Sequence, residues 1–205
     1  MVKHQRNFKK GFTIIEVVLV LAIAGLILLM AITAFPRLQK TTYDTQRKDD
    51  VDTLVASLMN YESSNRGILP DATWAGTVPG IADIGDNTAI QQYRSHSNKW
   101  YRFYANYILT GSQAFLDPDG TQYGLKVVQC AGTNTGDNCG ADAQVYNLKF
   151  SGTASEEQSH TAQNHNIHIV VNATCDGDQA VKSTGPRQFA ALYKLEINGT
   201  YCAAN

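Results

Sequence analysis

Glu16 is the residue that most needs an explanation. From Phe12 to Phe35 the chain reads FTIIEVVLVLAIAGLILLMAITAF, 24 residues with a single charge and two hydroxyls, Thr13 and Thr33. A carboxylate at the centre of a membrane helix costs about 2.5–3.5 kcal/mol, less near an end, and such groups usually have a partner and a task. Thr13 to Phe35 contains no Lys, Arg or His. An ionic partner must therefore come from lipid headgroups, another chain, or a new amino terminus made by cleavage. A carboxylate resting at the membrane interface is the alternative.

The other reactive side chains suggest less. His160, His165 and His168 lie close in sequence, but no motif supplies the further ligands of a metal site, and His168 in Asn-Ile-His-Ile-Val reads as a polar strand-face residue. Ser159-His160 is adjacency rather than a triad, and no nucleophile elbow accompanies it. There is no phosphate loop and no dinucleotide fingerprint, so neither an enzyme nor a cofactor is expected. Asp117-Pro-Asp-Gly120 carries two carboxylates that could meet calcium, but it lacks the alternating oxygen ligands of a calcium loop and reads as a plain turn. Asn172-Ala-Thr and Asn198-Gly-Thr are glycosylation sequons, short and common patterns.

Cys130, Cys139, Cys175 and Cys202 all fall in the C-terminal part. An even number downstream of a membrane signal favours disulfides in an oxidising compartment, with free buried thiols as the alternative. Three pairings are open. Nearness in sequence favours Cys130–Cys139 around a polar loop, leaving Cys175–Cys202 to pin the C-terminus.

These residues need elements to hold them. The chain has 205 residues, 43% hydrophobic and 17% charged, enough for one folded domain and an extra element. Residues 1–11 carry Lys3, Arg6, Lys9 and Lys10 and no acid; the remainder has 13 basic against 18 acidic side chains. So mild an acidic excess gives no electrostatic reason for strong nucleic-acid binding. The apolar run is long enough to cross a bilayer as a helix. The basic cluster before it places the N-terminus in the cytoplasm and the residues after Pro36 outside. A conventional secretory signal fits poorly, because Gly11 precedes the apolar run and no small-residue cleavage site follows it.

The segment KKGFTIIEVVLVLAIAGLILL resembles the class III leader and N-terminal helix of type IV prepilins and pseudopilins. In that family a short basic leader ends in glycine, cleavage precedes a phenylalanine, and the fifth residue of the mature chain is a glutamate. The resemblance assigns these roles to Gly11, Phe12 and Glu16. It implies cutting after Gly11 by a prepilin peptidase and methylation of the Phe12 amine. It also implies that the Glu16 carboxylate meets the Phe12 amine of a neighbouring subunit during assembly. Gly25 and Pro36 match helix-weakening positions of the family, Pro36 falling slightly later than the usual proline.

Beyond the membrane segment, Val51, Leu54, Val55, Leu58 and Tyr61 form an apolar stripe at helical spacing. The charge run of Asp44, Arg47, Lys48, Asp49, Asp50 and Asp52 reads as a solvated opposite face. Gly67 stops the helix and Pro70 cannot continue it. The expected organisation is a cleaved basic leader over 1–11 and a transmembrane or filament-core helix over 12–36. An amphipathic continuation over 37–66 and a β-rich head over 67–205 follow. Residues 12–66 as one helix would reach about 80 Å.

Leu69 to Lys99 reads as irregular connection, tacked to the core by Trp74, Ile81, Ile84 and Ile90. Strands are expected at 101–109, 123–129, 144–150, 167–171 and 189–197, with Asp117–Gly120 turning between the first two. The fold class is α+β: a pilin fold, with one long N-terminal helix laid on an antiparallel sheet of four or five strands.

The resemblance implies a type IV pilus subunit serving adhesion, motility or DNA uptake. Its partners would be like subunits, the peptidase, an assembly platform, and lipid before assembly. A pseudopilin of type II secretion shares the N-terminus and includes calcium-binding members. The C-terminal cysteine arrangement resembles the terminal disulfide region of many pilins and favours the first. A singly anchored receptor or enzyme would keep its leader and have no use for Glu16. No residue singles out a surface or nucleic-acid ligand, though the 130–139 loop is where recognition could sit.

Overall fold

The computed structural model describes residues 11–71, 73–81, 87–109, 115–130, 134–136, 139, 166–185, 187–197 and 199–205. The expected strand over 144–150, together with His160, His165, Ile84 and Asn198, lies outside them. The chain divides into two compact units, residues 1–41 and residues 42–205.

In the first unit, α1 begins at Ile14 and continues unbroken through Gly25 and Pro36. Every described residue of this unit is exposed. Its apolar stretch is long and apolar enough to cross a membrane.

In the second unit α1 runs on to Ser64. Val51, Leu54, Val55 and Leu58 are buried, as their three- and four-residue spacing requires. Each is worth about 1.5–3 kcal/mol of burial. The helix ends where Arg66 and Gly67 turn left-handed (φ 61° and 72°) and the Gly67 N–H caps the Glu62 carbonyl at 2.7 Å. Only glycine adopts that conformation without penalty, which is why Gly67 reads correctly as the stop.

The sheet holds five strands. They are β1 (Gly76–Val78), β2 (Gly124–Gln129), β3 (Asn166–Val171), β6 (Phe189–Lys194) and β7 (Thr200–Ala204), in spatial order β1-β2-β3-β6-β7. A separate hairpin pairs β4 (Ala173–Asp176) with β5 (Gln179–Lys182). The sheet is mixed rather than antiparallel: β2 and β3 run parallel, Leu125 opposite Ile167 and Val127 opposite Ile169. Parallel neighbours need a long crossover, and residues 130–165 supply its length.

Side-chain alternation gives the sheet two buried faces. Leu125, Val127, Ile167, Ile169, Val171, Ala191 and Tyr193 join the α1 stripe in one core. Val128, Val170, Ala190 and Leu192 point the other way, into a smaller core with Ala173, Ala180, Cys130 and Cys139. Burial on both faces explains why β3 reads as a continuous apolar run rather than an alternating one.

The expected strand over 101–109 is helical instead. Lys99–Phe103 forms α3, capped by Asn98 accepting from the Trp100 N–H at 2.8 Å, and Tyr104–Ile108 widens to a π turn. Aromatic residues favour strands by type, but Trp100, Phe103, Tyr104 and Tyr107 recur at three- and four-residue spacing. That spacing carries them into the main core, where Phe103 packs edge-on to Tyr61. The Asp117–Gly120 turn is present, closed by the Gly120 N–H to the Asp117 carbonyl at 2.8 Å, but it joins this helical region to β2. The 69–99 connection is partly regular, holding β1 and α2 (Asn87–Arg94); Ile81 and Ile90 are buried and Trp74 half-buried.

Candidate functional site

Gly11 and Phe12 precede α1, with the Phe12 side chain 91% exposed. Thr13 and Glu16 then close the helix start on themselves. The Glu16 carboxylate accepts from the Thr13 N–H at 2.9 Å and from the Thr13 hydroxyl at 2.8 Å, while the Glu16 N–H reaches back to the same hydroxyl at 3.4 Å. This is a capping box, which satisfies donors that the first turn of any helix leaves unpaired. Glu16 thus has a partner within its own segment, a hydrogen-bonding one that a search for cations overlooks. The signal was there to read, as a threonine three residues before a glutamate. One carboxylate, set one turn into a helix otherwise free of charge until Arg37, can organise a single polar contact among apolar surfaces.

A second polar centre lies in the head. The charge run is not a solvated face throughout: Asp44 is 3% and Arg47 1% exposed. They continue the buried stripe of Val51 and Leu54 at helical spacing, so the same geometry that buries the leucines buries the ions. Arg47 grips Asp117 with two parallel contacts of 2.8 Å, from Nε and from Nη2. Its Nη1 reaches Glu196 at 2.8 Å and Asp44 at 3.3 Å. Asp44 in turn accepts from the backbone N–H groups of Glu196 and Ile197 at 2.8 and 3.0 Å. Tyr193 donates to Asp117 at 2.8 Å, and Tyr123 to Asp50 at 3.0 Å.

Burial alone would raise the Asp117 carboxyl; the Arg47 and Tyr193 hydrogen bonds outweigh it and hold the group down at about 2. Burial works against the Arg47 charge, and the bonds to Asp117 and Glu196 overturn that and strengthen its hold on the proton. Burial beside Asp117 keeps Tyr193 protonated as a donor. The centre ties the second half of α1 to the 116–122 turn and to the segment after β6. It has the geometry of a structural clamp. Asp117 is turned inward to the guanidinium, and Asp119 accepts from the Thr121 N–H and hydroxyl at 2.8 and 2.6 Å, so this turn is locked by protein groups. Among the described residues no cluster of three His, Cys, Asp or Glu side chains has metal-binding geometry.

The cysteines pair as nearness in sequence favours, Cys130 with Cys139 and Cys175 with Cys202, their Cα atoms 4.5 and 5.9 Å apart. The second bond fastens β4 to β7, and so holds the hairpin over the second face of the sheet. His168 departs from its expected place on a polar face. It is 9% exposed, on the sheet side that the smaller core covers, and burial with the nearby Lys126 charge lowers its pKa to about 4. Asn172 of the first sequon sits at the β3–β4 corner with φ 62°, its N–H bonded to the Gln188 carbonyl at 2.8 Å.

Comparison with known families bears on the first of these centres. Residues 6–32 match the family described as the prokaryotic N-terminal methylation motif. That motif is the class III leader and N-terminal helix that type IV pilins and pseudopilins share, and the match extends over the N-terminal segment alone. The motif implies processing by a prepilin peptidase and assembly with other pilin subunits. No curated protein and no solved structure matches the chain significantly.

Proposed function

We propose that this protein is a structural subunit of a type IV pilus-like extracellular filament. On this reading the leader 1–11 is removed between Gly11 and Phe12, the new amine is methylated, and the chain waits in the cytoplasmic membrane with its head outside. Residues 12–35 then leave lipid and pack against the same segment of neighbouring copies.

The observation that carries the reading is the methylation motif on an apolar helix that the chain's own fold leaves wholly exposed. Such a surface is stable only in lipid or against other apolar helices. Apolar packing does not fix register, whereas one carboxylate meeting one amine in a low-dielectric core does. Glu16 and the Phe12 amine fit that pairing. Two disulfides in the head support its placement in an oxidising compartment, and the basic leader supports a cytoplasmic N-terminus. The disulfide that pins β7 favours a pilin over a pseudopilin, and adhesion, surface motility or DNA uptake are the services such a filament performs.

The test is the mass and N-terminal residue of protein recovered from sheared surface material, with and without Glu16→Ala. A chain starting at methylated Phe12 in fibres, and lost from fibres on substitution, is the expected result. A chain processed at Phe12 with no surface fibre would indicate a pseudopilin. A chain starting at Met1 and remaining in the membrane would overturn both.

A further inference from the structure

Charge in the head is segregated. From Asn87 to Leu116 the sequence holds Arg94, Lys99 and Arg102 and no acid, while the rest of residues 42–205 has 8 basic against 17 acidic side chains. Arg94 ends α2, and Lys99 and Arg102 stand three residues apart on α3. All three are exposed, and among the described residues none makes an ion pair or a side-chain hydrogen bond. Asp71, the described carboxylate that feels Lys99, is already engaged by the Thr73 N–H and hydroxyl at 3.1 and 2.8 Å.

The opposite charge lies on α1. Asp49 and Asp52 are exposed and also three residues apart; Asp52 accepts from the Tyr201 hydroxyl at 2.9 and 3.1 Å, a neutral donor that leaves its charge uncompensated. Asp50 between them is driven up first by burial, with the Asp49 charge adding to it, and its carboxylate is turned to the Tyr123 hydroxyl. The adjacent cation, Lys48, is half-buried and lies over the Tyr201 ring at 5.7 Å.

We propose that the Lys99–Arg102 pair of one subunit docks on the Asp49–Asp52 pair of a second copy of this chain. Residues three apart on a helix hold their Cβ atoms about 5–6 Å apart, so the two pairs match in spacing and can meet helix to helix. Arg102 can bind a carboxylate through two parallel contacts. The pairs belong to different elements, α1 and α3, so the contact is heterologous, the kind that an open helical filament repeats. The inference rests on the filament reading. A nucleic acid is the competing partner, since exposed His96 stacks on Tyr101 at 4.0 Å beside these cations. The acidic excess of the head as a whole repels a polyanion, whereas it attracts the cationic patch of a like copy.

Charge reversal tests this in the native host. The double variants Lys99→Glu/Arg102→Glu and Asp49→Lys/Asp52→Lys should each lower sheared-fibre yield by roughly tenfold or more, since like charges then face each other. Combining all four substitutions should restore the yield to near wild type. The membrane-stored pool, probed for both disulfides, shows that each variant folds. Wild-type fibre yield in both double variants overturns the docking. So does a cationic-face variant that keeps its fibres but loses retention of single-stranded DNA, since that assigns the surface to a polyanion. Absence of fibres even from wild type instead defeats the filament reading itself, whereas wild-type fibres that Glu16→Ala abolishes and neither double variant reduces defeat the docking alone.

Discussion

Arg47 and Asp117 meet through two parallel contacts of 2.8 Å in the interior of the head, 70 residues apart in sequence and both almost wholly shielded from water. Ions so placed are costly to strand. Removing one partner of a buried pair typically costs about 3–5 kcal/mol, because the other is left uncompensated. Arg47→Ala should therefore destabilise the head by that order, read as a lower thermal midpoint of the detergent-solubilised full chain. Arg47→Lys should recover only part of the loss, since an ammonium cannot make the two-pronged contact. Equal stability of Ala and Lys variants would contradict the assignment.

The same pair sets an acid limit. Asp117 sits at about 2 in the folded state against about 3.9 unfolded. A lowered carboxylate stabilises the fold above the unfolded value, and that contribution fades as pH falls from about 4 towards 2. About 2–3 kcal/mol is at stake. Asp117→Asn should remove this component, so that its stability falls less steeply than wild type across that interval.

His168 acts at higher pH with the same proton linkage, although here it is the neutral form that the fold favours. Folded, it stays neutral down to about 4; unfolded, it takes a proton near 6.5. The unfolded state therefore binds more protons between these values, and stability should decline by roughly 3 kcal/mol as pH falls from 6.5 to 4. His168→Leu should flatten the profile in that window. A wild-type curve that is already flat there would show that the imidazole is accessible to protons in the folded state.

The two disulfides should differ in worth. Cys175–Cys202 closes a loop of 27 residues and Cys130–Cys139 one of 9. Loop-closure entropy gives about 3.5 and about 2.5 kcal/mol respectively. Replacing Cys175 and Cys202 by Ala should cost more, and should also loosen the β4–β5 hairpin, increasing hydrogen exchange at Ala173 and Ala180.

On the proposed reading, processing depends on a small residue before Phe12. Gly11→Val should leave the leader attached, visible as an intact-mass chain starting at Met1 and as loss of surface fibres. Normal processing of that variant would move the cleavage site elsewhere.

Much of this was legible in the residues, and the parts that were not have physical reasons. Gly11, Phe12 and Glu16 form a local pattern, so the resemblance to the methylation motif is carried by one short stretch of sequence. The helix stop at Gly67 and the strands β2, β3 and β6 also follow from local signals: a left-handed turn residue and apolar runs. Asp44 and Arg47 read locally as part of a solvated face, because the partners that bury them, Asp117 and Glu196, lie 70 to 152 residues away. Nothing local distinguishes a buried ion from an exposed one. The aromatic segment 101–109 reads as a strand by residue type, whereas its three- and four-residue spacing decides for a helix. His168 was misplaced because the hairpin covering its face comes later in the chain, and the parallel pairing of β2 with β3 depends on a crossover that short-range patterns do not encode.

The clamp at Arg47 has a mechanical side. If the proposed filament is pulled, tension carried along α1 is resisted in the second unit by whatever holds that helix to its neighbours. Near the start of this unit, the guanidinium ties that helix to the 116–122 turn and to the segment after β6, with Asp44 adding two backbone contacts of its own. Bonds arranged this way share a pull side by side and yield together, where a zipper would open one tooth at a time.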